Sequence, residues 1–276
     1  MTSSRDIQRK IRTVRNIEQI TRAMKTVASI RLRRGEQRLE RARAYHRALL
    51  DLVSRMALVT QEHPFLQARP VGFTAVVLVT SDRGLCGGYN LNAVRQALAV
   101  GPPERVRVVA LGRKGRAHMA RRGYAILDQV VPLGGEPARE AIWRLAGRLG
   151  ARYLAGEVDE VRAVYSEFQG GARSRVRVET LLPLPVPEGE PAEAIYEPRP
   201  AVLLAGLMDR YLRTALLAAV LNSSVSEHAA RVAAMSAASD NAEEMIGDLV
   251  LDYNKARQAA ITKELIEIVG AAEATA

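Results

Sequence analysis

Apolar positions recur at helical spacing along the two ends of the chain, and in short continuous runs between them. The longer helical stretch covers about 205–269 and holds no proline, with Gly206 and Gly247 its only interior glycines. One seam reads Leu204, Tyr211, Ala218, Val225, Val232, Ser239, Ile246, Tyr253, Ala260. Its companion reads Leu207, Thr214, Leu221, His228, Met235, Ala242, Leu249, Ala256, Lys263. This is the a/d pattern of a coiled coil with a few polar breaks. About 65 helical residues span roughly 95–100 Å, whereas a domain made from the middle third of the chain measures only about 35–40 Å. The helix therefore needs a partner helix, and its end must find partners outside the chain.

The N-terminal stretch supplies the partner. Ser3 or Ser4 can cap a helix predicted from about Arg5 to Thr60, with a narrow stripe through Ile7, Ile11, Val14, Thr21, Ala28, Leu32, Leu39 and Leu49. The two end helices are expected to pair as a long antiparallel coiled coil, left-handed because the repeat is seven, with everything else inserted between them.

The insert changes character after the linker from Pro64 to Gly72. Phe73–Thr80 (FTAVVLVT) reads as a buried strand. Strands are also predicted at Arg105–Leu111, Tyr124–Val131, Glu160–Phe168 and Arg175–Leu182. Helices are predicted at about Leu91–Val100, Arg113–Arg122 and Ala138–Ala155. This alternation predicts a Rossmann-like α/β domain with an edge hairpin. The expected division is a coiled-coil helix over 1–60, an α/β domain over 73–200 and a second coiled-coil helix over 201–276.

Charge sharpens the picture. Residues 1–57 hold 15 Lys/Arg and 5 Asp/Glu, a difference of +10, which equals the net charge of the whole chain. A solvated helix face is the plain reading of such a run. The functional one is a surface for something acidic: nucleic acid, anionic lipid or an acidic protein loop. Tyr45 is the only aromatic before Phe65, so base stacking has little to work with.

Candidate chemistry is sparse. Gly84-Leu85-Cys86-Gly87-Gly88 lies between strand and helix, where phosphate loops occur, but it carries neither Walker nor dinucleotide spacing. Gly112-Arg113-Lys114-Gly115 raises the same question more weakly. The single cysteine, Cys86, excludes an intrachain disulfide and suits a reducing compartment. The four histidines lack metal-ligand spacing. No nucleophile, base and oxyanion set assembles, so neither enzyme activity nor a cofactor is expected. No apolar run is long enough for a membrane span and no secretory signal opens the chain. Asp6 and Glu18 argue against a transit peptide. The segment around Ala259, Ile261, Leu265, Ile266 and Val269 is apolar on nearly every side. That marks either a frayed terminus or a tip sheathed by other subunits.

Three blocks then resemble one family. They are Asn16-Ile17-Glu18-Gln19-Ile20-Thr21-Arg22-Ala23-Met24-Lys25 within 6–34, Ser81-Asp82-Arg83-Gly84-Leu85-Cys86-Gly87-Gly88-Tyr89-Asn90, and Ser226–Glu244 continuing through Tyr253-Asn254-Lys255-Ala256-Arg257-Gln258 to Glu264. Their order and spacing are similar to those of the gamma subunit of F-type ATP synthases, of the bacterial type. The resemblance implies a non-catalytic central-stalk rotor. It would transmit torque between a proton-driven c-ring and a hexamer of three alpha and three beta subunits, with the epsilon subunit at the foot. It places the chain peripherally at the cytoplasmic face of the bacterial plasma membrane. Beta-subunit contacts would map to Met24, Lys25, Arg33, Arg34, Arg257 and Gln258, and the bearing tip to Ile261, Leu265, Ile266 and Val269. The epsilon and c-ring foot would map to Arg83, Gly84, Leu85, Tyr196 and Glu197. Thr26 and Ile30 depart from the family pattern, and the cysteine-bearing loop of the chloroplast relatives is missing. The rival readings are a basic coiled-coil nucleic-acid binder and a small α/β nucleotide-binding enzyme with helical arms. The apolar tip opposes the first and the lack of a phosphate-loop lysine the second.

Overall fold

The computed structural model describes residues 4–133, 139–171, 173–189 and 196–273, with side chains undescribed at 263, 264 and from 267 onward. Helix α1 spans Ser4–Val59, and a 3-10 turn follows at Pro64–Leu66. The insert runs β1 Thr74–Val79, α2 Tyr89–Leu98, β2 Val106–Leu111, α3 Arg113–Ala120, β3 Ala125–Val130, α4 Arg139–Leu154, β4 Glu160–Gly170 and β5 Arg173–Leu182. Helix α5 then spans Pro200–Glu273, 74 residues or about 110 Å of helix. Every predicted element is present, with ends displaced by about two residues or fewer in most cases, the usual fraying of such limits.

The chain divides into two compact units. One is Met1–Ala28 with Val232–Ala276, the other Ser29–Arg231. In the second unit the sheet order is β3-β2-β1-β4-β5. β1 to β4 are parallel, and β5 joins antiparallel as the edge of a hairpin with β4. β1 is central and buried on both faces, which is why it reads as an unbroken apolar run. Its Ala75, Val77 and Val79 face a core shared with Ile142, Leu145 and Leu149 of α4, Val53 and Met56 of α1, and Met208, Leu212 and Leu216 of α5. Its Val76 and Leu78 face a second core with Ala93, Val94 and Ala97 of α2 and Met119 of α3. The alternation is the period of two expected of a strand between two layers.

The end helices pair antiparallel within each unit. In the second unit they come very close at Gly35: a Cβ there would lie 2.9 Å from Cγ2 of Val225. Leu39, Val225 and Ala229 continue that seam with Phe168 of β4. In the first unit Thr21 meets Ser239 and Lys25 meets Ser236, the order reversing along the two helices. No helix among the described residues is long and apolar enough to cross a membrane.

Candidate functional site

Helix α5 is fastened to the sheet by polar groups rather than by apolar contact alone. Ser226 Oγ donates to the Ser166 carbonyl of β4 at 3.1 Å, and Ser166 N–H donates to Ser223 Oγ at 3.3 Å. Ser223 Oγ also shares a 2.7 Å hydrogen bond with the hydroxyl of Tyr89 at the start of α2. Arg43 of α1 reaches across, its Nη2 donating to Asn222 Oδ1 at 2.6 Å and to the Phe168 carbonyl at 2.5 Å. Asn222, Ser223 and Ser226 are all buried. α1, α2, β4 and α5 are thus joined by directional bonds in a water-poor place, where such bonds hold geometry firmly. Sequence reasoning counts Arg43 only within the basic run of residues 1–57, names Ser226 only as the start of a family-like block, and does not single out Asn222 or Ser223. The available signal was a run of poor helix formers, Asn222-Ser223-Ser224, inside an Ala/Leu-rich helix.

The turn after β1 lies beside this clamp. Leu85 has a φ of 61°, rare for a side-chain-bearing residue, and is 62% exposed. Asn90 Oδ1 accepts from Ser81 N–H at 2.9 Å and holds the loop closed. Asp82 ties neighbouring turns together, accepting from Arg113 N–H at 3.1 Å and from Leu133 N–H at 2.8 Å. Arg231 of α5 donates to the Gly84 carbonyl at 3.3 Å and pairs with Glu227 at 2.7 Å. Burial pushes the Glu227 carboxyl up despite Arg231. Burial, helped by Arg231 and Arg31, lowers His228 to about 4, so its imidazole is neutral at physiological pH. Burial also raises the Cys86 thiol, leaving it a poor nucleophile. The second glycine-rich turn is explained by close packing: a Cβ on Gly112, at φ 97°, would lie 2.1 Å from the Thr80 carbonyl oxygen. Gly115 N–H donates to Thr80 Oγ1 at 2.8 Å.

In the first unit the buried pair Thr21 and Ser239 shares a 2.8 Å hydrogen bond. Lys25 Nζ donates to Ser236 Oγ at 3.0 Å, so this half-buried lysine is partly engaged. Met24 is half-buried beside it. Ile17, Ile20 and Val27 are about half exposed. Arg257 and Gln258 are exposed. Ile261, Leu265 and Ile266 are 50%, 58% and 66% exposed, and the side chain of Val269 lies outside the described residues. In the second unit Arg33 and Arg34 are exposed on α1.

The five residues expected at the foot do not form one surface. Tyr196, half-buried against the main core, precedes the start of α5 at Pro200. Gly84 is bonded to Arg231, 31 residues further along the same helix and so about 46 Å from its start. Arg83 and Leu85 surface at that far level, both exposed. Among the described residues no group of three or more His, Cys, Asp or Glu could hold a metal ion.

Two long end helices, with an α/β domain inserted between them in sequence and keyed to them in the second unit by buried hydrogen bonds, define a coiled-coil protein with an inserted α/β domain. Residues 3–275 match the family model described as ATP synthase. The ATP synthase gamma chain of Desulforamulus reducens is 41% identical over 281 residues, covering 99% of each chain. That of Symbiobacterium thermophilum is 41% identical over 97% of this chain and 96% of its own. The chain belongs to the ATP synthase gamma chain family. Solved structures share the fold. A chain from the rotational state 3 structure of Euglena gracilis mitochondrial ATP synthase aligns with a TM-score of 0.71 at 19% identity, covering 99% of this chain and 94% of that one. A chain of the Tetrahymena thermophila mitochondrial ATP synthase central stalk and c-ring aligns with a TM-score of 0.63 at 23% identity, covering 80% and 99%.

Proposed function

We propose that this chain is the central-stalk rotor of an F-type ATP synthase, a non-catalytic subunit that carries torque between the c-ring and the alpha/beta hexamer. The observation that carries the reading is membership of the gamma chain family over essentially the full length. The geometry suits the task. A shaft must not slip inside the domain that turns it, and the Arg43–Asn222–Ser223–Ser226 clamp supplies directional bonds between α5 and the sheet.

The working division is a shaft helix over 1–60, a foot domain over 73–200 and a second shaft helix over 201–276. Met24, Lys25, Arg33 and Arg34 face the acidic loop of the beta subunits, with Arg257 and Gln258 making polar contacts nearer the tip. Ile261, Leu265, Ile266 and Val269 turn in an apolar sleeve formed by the hexamer. Exposure of the first three supports this, since apolar surface of that extent calls for a cover. Tyr196 and Glu197 belong to the ring-facing foot with the epsilon subunit. Arg83, Gly84 and Leu85, at the level of Arg231, face the hexamer side instead. The subunit works peripherally, at the cytoplasmic face of the bacterial plasma membrane.

Co-purification tests the reading. Expressed with alpha and beta subunits, the chain should elute in a complex of one copy to three of each. Elution alone, together with duplex DNA binding that falls steeply with salt, would replace the rotor by a nucleic-acid binder.

A further inference from the structure

On the α4 side of the second unit, α1, α4 and α5 enclose a groove of about 1050 Å³. Arg38 and Arg41 of α1, Arg210 and Arg213 of α5 and Arg139 of α4 line it. The one acid among the lining residues is Asp209, and it is paired with Arg213 at 3.0 Å. Among the described residues no ion pair engages Arg41 or Arg210. Two aromatic side chains line the same groove: Tyr45, 55% exposed, and Trp143, 39% exposed. The Arg139 guanidinium lies 5.7 Å over the Trp143 ring. Ala42, Leu217 and Leu221 add apolar lining.

Guanidinium forks arriving from three helices suit a compact polyanion, because each can give parallel N–H donors to phosphate oxygens. Exposed tryptophan and tyrosine suit a flat heterocycle, which stacks on such rings whatever its sequence context. The volume falls near the upper end of small-ligand pockets, roughly 300–1,000 Å³. We propose that this groove binds a nucleoside polyphosphate, its phosphates held by the arginines of α1 and α5 and its base against Trp143 and Tyr45. The site is separate from the surfaces assigned to the hexamer and the ring, and it does not depend on the rotor reading.

Trp143 is the only tryptophan of the chain, so its emission reports on the groove alone. The full chain is titrated by calorimetry with ATP and with inorganic tripolyphosphate, and Trp143 emission is followed in parallel. Expected are saturable ATP binding with quenching, weaker tripolyphosphate binding without quenching, and at least tenfold weaker binding of both to the Arg41→Ala, Arg210→Ala double variant. Both arginines are exposed, and circular dichroism checks that the variant keeps its helices. Trp143→Leu should weaken ATP severalfold and leave tripolyphosphate unchanged. The proposal fails if ATP does not saturate into the millimolar range, if it binds no better than tripolyphosphate, or if the arginine substitutions have no effect. It also fails if a glutamate-rich peptide binds more tightly than ATP and displaces it, which would give the groove to an acidic protein segment.

Discussion

The two halves of α5 are one helix with two kinds of surface. Over 200–231 it buries Leu204, Met208, Tyr211, Leu212, Leu216, Val220, Val225 and Ala229 together with Asn222, Ser223, Ser226 and His228. Over 232–262 it buries only Met235, Ser239 and Ala242, spaced by four and three residues. The first half has the wide face of a core helix, packed on α1 and on a sheet. The second has the single seam of a two-stranded coil. Val232, Ile246, Leu249 and Val250 are half-buried beside that seam, whereas Met245, Leu251 and Ile261 are at least half exposed. The same backbone thus serves as an anchor in one half. In the other it leaves apolar side chains exposed.

The largest expected effect tests that contrast directly. Leu216→Ala should cost about 2–5 kcal/mol in chemical denaturation, while Leu251→Ala should change stability by less than about 0.5 kcal/mol. Equal losses would make the second half a core helix too.

Acid should act on the anchored half through His228. Its unfolded form takes up a proton near 6.5 and its folded form only near 4. Stability is therefore fully present above about 6.5 and falls as the pH drops toward 4, by at most about 1.4 kcal/mol per unit. The raised carboxyl of Glu227 opposes this over its own range, since protonation there favours the folded state. Arg31 and Arg231 face the ring and add to its resistance to protonation. In His228→Gln the acid slope should be visibly shallower, measured by denaturation at a series of pH values. An unchanged slope would clear His228 of the effect.

Next comes the clamp. Asn222→Leu removes the acceptor of Arg43 and of the Phe168 amide and should cost about 1–3 kcal/mol. Within the first unit, Thr21→Val or Ser239→Ala alone should each cost about 1 kcal/mol by removing the bond between the helices, the remaining hydroxyl keeping only its backbone acceptor, the Met235 or the Glu18 carbonyl. The pair together should cost less than the sum, a coupling that a double-mutant cycle reads. The smallest effect on the isolated chain is expected from Ile266→Asp, within about 0.5 kcal/mol because the residue is exposed. Its consequence should appear in the co-purified complex, as lost assembly or uncoupled ATP hydrolysis. Unaltered assembly and coupling would leave the tip without a sleeve.

Much of this arrangement was legible before the structure. β1 declared itself because residues 75–79 are wholly buried between two layers, and burial on both faces leaves no room for polar alternation. The antiparallel pair was readable because seven-residue spacing leaves only one stripe to cover. The clamp was not, because Ser223 and Ser226 fall outside the heptad seam and face a sheet whose position depends on β4. Arg43 looked like one more surface arginine; only the fold shows that it points at Asn222 and the end of β4. The separation of Tyr196 from Leu85 was equally hidden. Sequence distance says nothing about which level of α5 the β1 turn meets, and the Arg231–Gly84 bond decides it.

Gly35 gives the paired helices a notch with no side chain between them, and Val225 fills it. In an engineer's vocabulary the two form a key and keyway. Displacing α5 along α1 would take Val225 out of the notch and against residues that do carry a Cβ, so the steric cost rises at once in either direction. At this level the two helices bear a twisting load as a splined rod rather than as two strands of a rope.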